Sequence, residues 1–218
     1  MNDQQAAAAQ ADPTQLMPEF THVHQFLDPA ERGVQTWQVR LSAGGRPVGT
    51  LRATRGLYWK SGNLRERLSD EQAFPEVAAG QLLNPDGSFS AAFENFVEMA
   101  SSILVVELVE PAEPWDDPML VAGVVASIID RLADNYYAVV FPRADEPDVT
   151  RCQEVLAQAA ELLSAAYFSD ELQIIDTSMA APEEAAEQVR ERLRAHLRCR
   201  RRLLGRERRG PRPRSGRR

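Results

Sequence analysis

Cysteine is scarce in this chain, and the two that occur, Cys152 and Cys199, stand far apart. One opens a helical pattern and the other lies in a basic stretch, so neither a zinc-site spacing nor a disulfide framework is present. We expect both thiols to be reduced and no metal to be bound. His22 and His24 would share one face of a strand, a spacing that metals use, but no cysteine accompanies them and a flexible lead-in segment is the favoured interpretation.

Long apolar runs are also missing. The longest, MLVAGVVASII at 119–129, is well short of the ~20 residues that a membrane-spanning helix needs. The first residues, MNDQQAAAAQADPTQ, lack the basic start and leucine-rich centre of a secretion signal. We therefore expect a cytoplasmic protein without membrane contact.

Three common catalytic signatures are absent as well. The chain contains no G-x-S-x-G, no G-x-x-x-x-G-K-[ST] and no pair of cysteines at two-residue spacing. These patterns build, respectively, an exposed serine nucleophile, a phosphate cradle and half of a zinc site. Hydrolase, P-loop and zinc-binding functions therefore lack support in the sequence.

More than half of the positive charge lies at one end of the chain, and nearly all of it is arginine, since lysine occurs once, as Lys60. Residues 190–218 hold fourteen arginines and two glutamates, a net charge of +12. The whole chain has a net charge of −7, so residues 1–189 carry the difference, −19. The sequence thus joins a strongly acidic body to a strongly basic tail.

Three interpretations of the basic tail stay open. It could neutralise nucleic-acid phosphates without sequence preference, in which case Arg198, Arg200, Arg201 and Arg202 are the candidate contacts. It could instead bind the acidic body and produce a homo-oligomer, or it could have no defined role. No aromatic residues are interleaved with the arginines, so base stacking is not indicated.

Hydrophobic periodicity predicts the order of the elements. Alternation over 36–56 around Gly44-Gly45 predicts a β-hairpin, and NPDG at 84–87 predicts a turn. Between these lies an irregular stretch with a short helix around 64–68 and a break at Pro75. The remaining elements are predicted as a helix at 90–99 with Phe89, Phe93 and Phe96 on its apolar side, a strand covered on both faces at 103–109, a helix at 117–134, a strand at 136–141, a helix at 149–167 and a strand at 171–177.

An antiparallel start followed by β-α-β-α-β predicts an α+β or mixed α/β fold with a central mixed sheet. Residues 1–18 are Ala/Gln-rich and are predicted to be disordered, and the folded domain is predicted to span 19–180. A charged helix is predicted at 181–207, followed by a disordered Arg-rich tail at 208–218.

The order of elements over about 36–178 resembles that of the GNAT superfamily of acyl-CoA-dependent N-acyltransferases. ILVVELVEP resembles the family's long fourth strand, PWDDPMLVAGVV the following turn and helix start, and YYAVVFPR the fifth strand. LLSAAYFSDELQIIDTS resembles the last helix and the strand after it. The resemblance implies a GNAT-like sheet with a V-shaped gap between the fourth and fifth strands, and acetyl-CoA or another acyl-CoA as cofactor.

The resemblance also implies site residues. In the family, backbone amides in an R/Q-x-x-G-x-G/A turn cradle the cofactor's pyrophosphate, which here implies contacts from Leu108, Val109, Asp117, Met119 and Val121. A glutamate on the fourth strand often acts as a base through water, a role that would fall to Glu107 or Glu110. A tyrosine in the last helix often protonates the leaving thiolate, and Tyr167 is the candidate.

The turn departs from the family's pattern. Asp116 falls at the family's arginine, and Met119 and Val121 fall at its glycines, while Gly123 comes one turn too late. Carboxylates would repel a phosphate here, and Asp117 is well placed to cap its own helix. The favoured hypothesis is therefore a degenerate, non-catalytic or altered acyl-CoA-binding domain. An active acyltransferase with an unusual loop and a nucleic-acid-associated protein remain as alternatives.

Overall fold

The computed structural model of the chain describes residues 16–22, 33–70, 76–111, 117–142 and 150–207. Several sequence predictions lie outside these residues. They concern the polar N-terminus before residue 16, His24, the break at Pro75, Asp116 and the Arg-rich tail at 208–218.

The strands form one seven-stranded sheet with the spatial order β1-β2-β3-β4-β5-β7-β6. Their bounds are β1 (Leu16–His22), β2 (Val34–Ala43), β3 (Arg46–Leu57), β4 (Ser102–Pro111), β5 (Tyr137–Pro142), β6 (Ala166–Ser169) and β7 (Leu172–Asp176). Every neighbouring pair is antiparallel except β4 and β5, which run parallel. The predicted mixed α/β class is confirmed at this level.

Helices cover both faces of the sheet. Those in the described residues are α1 (Tyr58–Ser61), α2 (Leu64–Asp70), α3 (Glu76–Leu82), α4 (Ala91–Phe96), α5 (Pro118–Leu132), α6 (Thr150–Leu162) and α7 (Ala180–Glu207). None of them combines the length and the apolar content that crossing a membrane requires.

The side chains of β4 alternate between two hydrophobic cores, as the period of a strand requires. Ile103 and Val105 pack with residues of α2, α3 and α4 on one face. Leu104, Val106 and Leu108 pack with residues of α5, α6 and α7 on the other face. The sheet is therefore the middle layer of three, which explains why β4 and β5 read as nearly continuous apolar runs.

The predicted hairpin is confirmed as β2 and β3. Gly44 and Gly45 form its two-residue turn with φ of 58° and 79°, a backbone conformation that glycine adopts without steric cost. The predicted NPDG turn is also confirmed. The backbone oxygen of Asn84 accepts from the Gly87 amide, and the side-chain amide of Asn84 donates to Ser88.

Two boundaries predicted from the sequence are wrong at the start of the chain and in α4. Leu16–Pro18, predicted to be disordered, begin β1, which pairs with β2 along its whole length while Leu16 and Phe20 pack on the core. The helix predicted over 90–99 ends at Phe96, because Val97 turns extended with ψ of 141°. Phe93 of this helix is fully buried, whereas Phe96 is partly exposed.

The helix predicted over 149–167 is also too long. In the structure α6 ends at Leu162, and residues 166–169 form β6 at the edge of the sheet. Ser164 has a positive φ of 64°, its amide donates to Glu161 and the Ala165 amide donates to Ala160. These bonds form a Schellman motif, which ends the helix without the glycine that would have marked its end in the sequence.

Candidate functional site

The candidate site lies where β4 leaves the sheet and α5 begins. β4 pairs with β5 only over Ser102–Val105, which lie opposite Tyr137–Val140. Each strand continues beyond these residues with its other neighbour, β4 with β3 as far as Pro111 and β5 with β7 as far as Pro142. The two parallel strands therefore stop being hydrogen-bonded to each other in their second halves.

A β-bulge marks the same stretch of β4. Leu51 pairs with Leu108 and Thr50 pairs with Glu110, which leaves Val109 without an opposite residue on β3. Leu108 is buried in the core, whereas Val109 is 51% exposed, so the predicted strand is not covered on both faces at this point. A bulge bends the strand and redirects its side chains, as is common next to binding sites.

Glu107, the first candidate base, already has a strong partner. Its Oε2 accepts from the Nε of Arg52 at 2.6 Å, and the two residues lie directly opposite each other on β4 and β3. This hydrogen bond raises the pKa of Arg52 above its ordinary value. Glu107 is therefore held as one half of a cross-strand ion pair. The other candidate base, Glu110, pairs through its backbone with Thr50.

Backbone amides in the first turn of α5 are already hydrogen-bonded within the helix. Asp117 is the N-cap, and its Oδ1 accepts from the Met119 amide at 2.7 Å. The Val121 amide donates to the backbone oxygen of Asp117 at 3.0 Å, and Pro118 has no amide hydrogen to offer. The cap predicted from the sequence is confirmed. Its carboxylate accepts from an amide that a phosphate bound at the helix N-terminus would need as a donor.

The residues aligned with the family's glycines belong to the helix and not to a loop. Val121 is buried in the core on α5, and Met119 is half-buried against the same core. Gly123 serves helix packing, because a Cβ built on it would lie 2.4 Å from Cδ1 of Leu193 on α7. Its lack of a side chain therefore allows α5 and α7 to approach closely.

Tyr167, the candidate acid, lies on β6 and not on the last helix, which corrects the sequence prediction. Its hydroxyl donates to Glu161, and its side chain is half exposed. The strand order puts β5 and β7 between β6 and β4. At about 4.8 Å between strands, roughly 14 Å separate the line of β6 from that of β4. The structure thus keeps Tyr167 away from Glu107.

Comparison with known proteins finds no family model, no curated protein and no solved structure that matches this chain. Within the described part of the chain, no group of three or more metal-ligating side chains occurs. Cys152 lies half-buried on α6 and is not part of a disulfide.

Sequence reasoning missed a groove at the opposite end of the sheet, between α5 and α7, with a volume of about 540 Å³. We call it the α5–α7 groove, and its lining consists of Ala126, Ile129, Asp130, Ala133, Asp134, Asn135, Leu163, Ile175, Thr177, Pro182, Glu183, Ala186 and Arg190. Arg190 donates to Asp130 and, at 3.4 Å, to Glu187. Asp130 lies in the last turn of α5, whereas Asp134 follows the C-cap of that helix, Ala133, so no helical spacing in the sequence indicated that the two carboxylates line one groove.

A partly buried polar cluster on the same face of the sheet as this groove was also missed. Tyr137 is almost fully buried, and burial raises the pKa of its hydroxyl above the ordinary value of 10.0. Arg55 lies near it, and its guanidinium stands 5.1 Å from the ring centre of Trp37. His22 stacks on the same indole at 4.6 Å. These residues come from four different strands, so no sequence spacing joins them.

Proposed function

We propose that this chain is a GNAT-like protein that has lost the family's way of binding acyl-CoA and acts as a non-catalytic binding or regulatory domain. The parallel β4 and β5, paired over four residues and then separate, support the GNAT-like part of the proposal. This is the divergence that the family's V-shaped gap would require. The bulge at Val109 lies within the part of β4 that is no longer paired with β5, and a bulge bends its strand.

The observation that carries the loss of cofactor binding is the cap on α5. A phosphate bound at a helix N-terminus needs open amides and a positive local potential. Here the Asp117 carboxylate accepts from the Met119 amide, and Pro118 removes another donor. An anionic phosphate would also meet the negative charge of Asp117, at a cost of about 1 kcal/mol near 4 Å in water and more where solvent is excluded. The residues present therefore do not fit the pyrophosphate.

The positions of the candidate catalytic residues also support a non-catalytic role. Glu107 is engaged by Arg52, so a proton acceptor there would have to give up its ion pair. Tyr167 lies three strands away from β4 in the sheet, too far to protonate a group held beside Glu107. A base and an acid on opposite sides of one reacting group are thus not supplied by these residues.

Isothermal titration with acetyl-CoA tests the proposal. The intact chain should give no binding heat at millimolar ligand, whereas binding at micromolar strength would support the alternative of an active acyltransferase with an unusual loop. The double variant Asp117→Gly, Pro118→Ala frees the Met119 amide, restores one donor and removes one charge. It should bind acetyl-CoA more tightly than the unmodified chain.

Ser90→Gly is the matched control for this variant. Ser90 caps α4 by accepting from the Phe93 amide at 3.2 Å, on the other face of the sheet. Its loss should lower stability to a similar degree and leave acetyl-CoA binding unchanged. If the double variant gives no more binding heat with acetyl-CoA than Ser90→Gly does, the cap is not what excludes the cofactor.

A further inference from the structure

The α5–α7 groove carries an excess of negative charge. Asp130, Asp134 and Glu183 line it against a single cation, Arg190. Arg190 donates to Asp130 across the groove, so the charges of Asp134 and Glu183 remain. The groove lies near the ends of α5 and β7, at the opposite end of the sheet from Asp117, and it is therefore independent of the acyl-CoA question.

A guanidinium is already seated in this groove. The side chain of Arg190 reaches from α7 to Asp130 on α5, pairs also with Glu187, and is only 27% exposed. Arginine binds carboxylates through a planar fork of donors that fixes orientation as well as charge. The groove thus has the chemistry to hold further arginine side chains.

The floor and walls of the groove suit the apolar parts of such a ligand. Ile129, Leu163, Ile175 and Pro182 contribute hydrocarbon surface to the lining, beside the carboxylates. The methylene stem of arginine packs on surfaces of this kind while its charged head stays at a polar rim. Proline rings fit them as well, because they bring no amide hydrogen that needs a partner.

The chain itself contains a segment with this chemistry. Residues 208–218, RRGPRPRSGRR, have six arginines and no acidic residue. The two prolines restrict each preceding residue to extended conformations, which favours an extended ligand over a helical one. We propose that the α5–α7 groove binds the Arg-rich segment 208–218 of a second copy of this chain.

A second copy is the favoured source because of the course of α7. The helix lines the groove with Pro182–Arg190 and then continues to Glu207. At 1.5 Å per residue, the seventeen residues from Arg190 to Glu207 carry the segment roughly 26 Å along the helix axis. An extended chain needs about eight residues to cover that distance back, at roughly 3.3–3.6 Å per residue. Only the last three residues of the segment could therefore reach the groove of their own copy, whereas the groove of another copy can take the whole segment.

Sedimentation equilibrium of the full chain tests this proposal. Self-association is expected at low salt and should weaken at high salt, because the contacts are between charges. Glu183→Lys reverses one groove charge and should weaken self-association by about tenfold or more, which corresponds to ~1.4 kcal/mol. Glu184→Lys is the matched control, since Glu184 is exposed on the same helical turn outside the groove, and it should change self-association little.

A fluorescent peptide of residues 206–218 provides the second measurement. It should bind a chain truncated after residue 207, and Glu183→Lys in that chain should weaken the binding while Glu184→Lys should not. Equal weakening by the two substitutions would overturn the groove as the site and leave only general charge attraction. A full chain that stays monomeric at all concentrations would overturn the proposal that the segment comes from a second copy.

Discussion

At the scale of single residues, the side chains that a catalytic mechanism would need are engaged in structural contacts. Glu107 pairs with Arg52 across two strands, and Asp117 binds the amide of Met119. Both contacts involve a charged partner or a helix terminus, where hydrogen bonds are stronger than between neutral groups. The same residues that suggested a base and a cofactor loop in the sequence therefore contribute to stability.

The ion pair between Arg52 and Glu107 should be measurable by a double-mutant cycle. We expect Arg52→Gln, Glu107→Gln and the double variant to give a coupling energy of about 0.5–1 kcal/mol, because the pair is only partly exposed. Urea denaturation of the four proteins measures it. A coupling energy of zero would show that the two side chains do not interact in solution.

Tyr137 should make the stability depend on pH in the alkaline range. Burial raises the pKa of its hydroxyl above 10.0, so the folded protein keeps a proton that the unfolded chain has lost. The stabilisation is complete below the unfolded pKa and should fall as the pH rises above about 10. Urea denaturation across this range should show a smaller fall in Tyr137→Phe. Tyr136→Phe, at an exposed neighbouring position, should behave like the unmodified chain.

At the scale of elements, capping decides where the helices begin and end. The start of α5 could be predicted because Asp117-Pro118 is a recognisable N-terminal pattern, with Asp as the cap and Pro in the first turn. The end of α6 could not, because Ser164 occupies the left-handed position where the pattern calls for glycine. The sequence prediction therefore continued the helix to residue 167, into residues that form the edge strand β6.

The cap on α5 should be worth about 1 kcal/mol. Asp117→Ala removes the acceptor of the Met119 amide, and losses on substituting an N-cap are typically of this size. Asp117→Asn keeps a side-chain oxygen and should lose much less. Thermal or chemical denaturation measures both variants, and equal losses for Ala and Asn would contradict capping by hydrogen bonding.

At Ser164, in contrast to Asp117, a substitution should raise the stability of the protein. Its φ of 64° is costly for a residue with a Cβ, so Ser164→Gly should stabilise the protein by about 0.5–1 kcal/mol. Ser164→Val should destabilise it, because a β-branched side chain tolerates this conformation least. A glycine variant that is less stable than the original chain would argue against the Schellman motif.

At the scale of the whole molecule, the sequence predicted the sheet better than the site. The β2–β3 hairpin and the buried strands β4, β5 and β7 were found because each has a local pattern of alternation or a short apolar run. The edge strands β1 and β6 were missed, since β1 mixes polar and apolar residues and β6 is only four residues long.

The sites escaped prediction for a different reason. The α5–α7 groove joins residues from α5, β7, α7 and the segments between elements, and the cluster around Tyr137 joins residues from several strands. Such groupings depend on which strands become neighbours, and no local pattern in the sequence encodes that. The division of charge between an acidic body and a basic tail was visible in the sequence, but not the groove that the tail could enter.

We propose that the α5 N-terminus is closed to acyl-CoA by its own cap, and the amide resonance of Met119 tests this proposal most directly. In an isotope-labelled intact chain titrated with acetyl-CoA to millimolar concentration, this resonance should keep its position. A shift of the Met119 amide that saturates at micromolar acetyl-CoA would contradict the proposal, because it would mean that the cofactor displaces the Asp117 carboxylate from the helix.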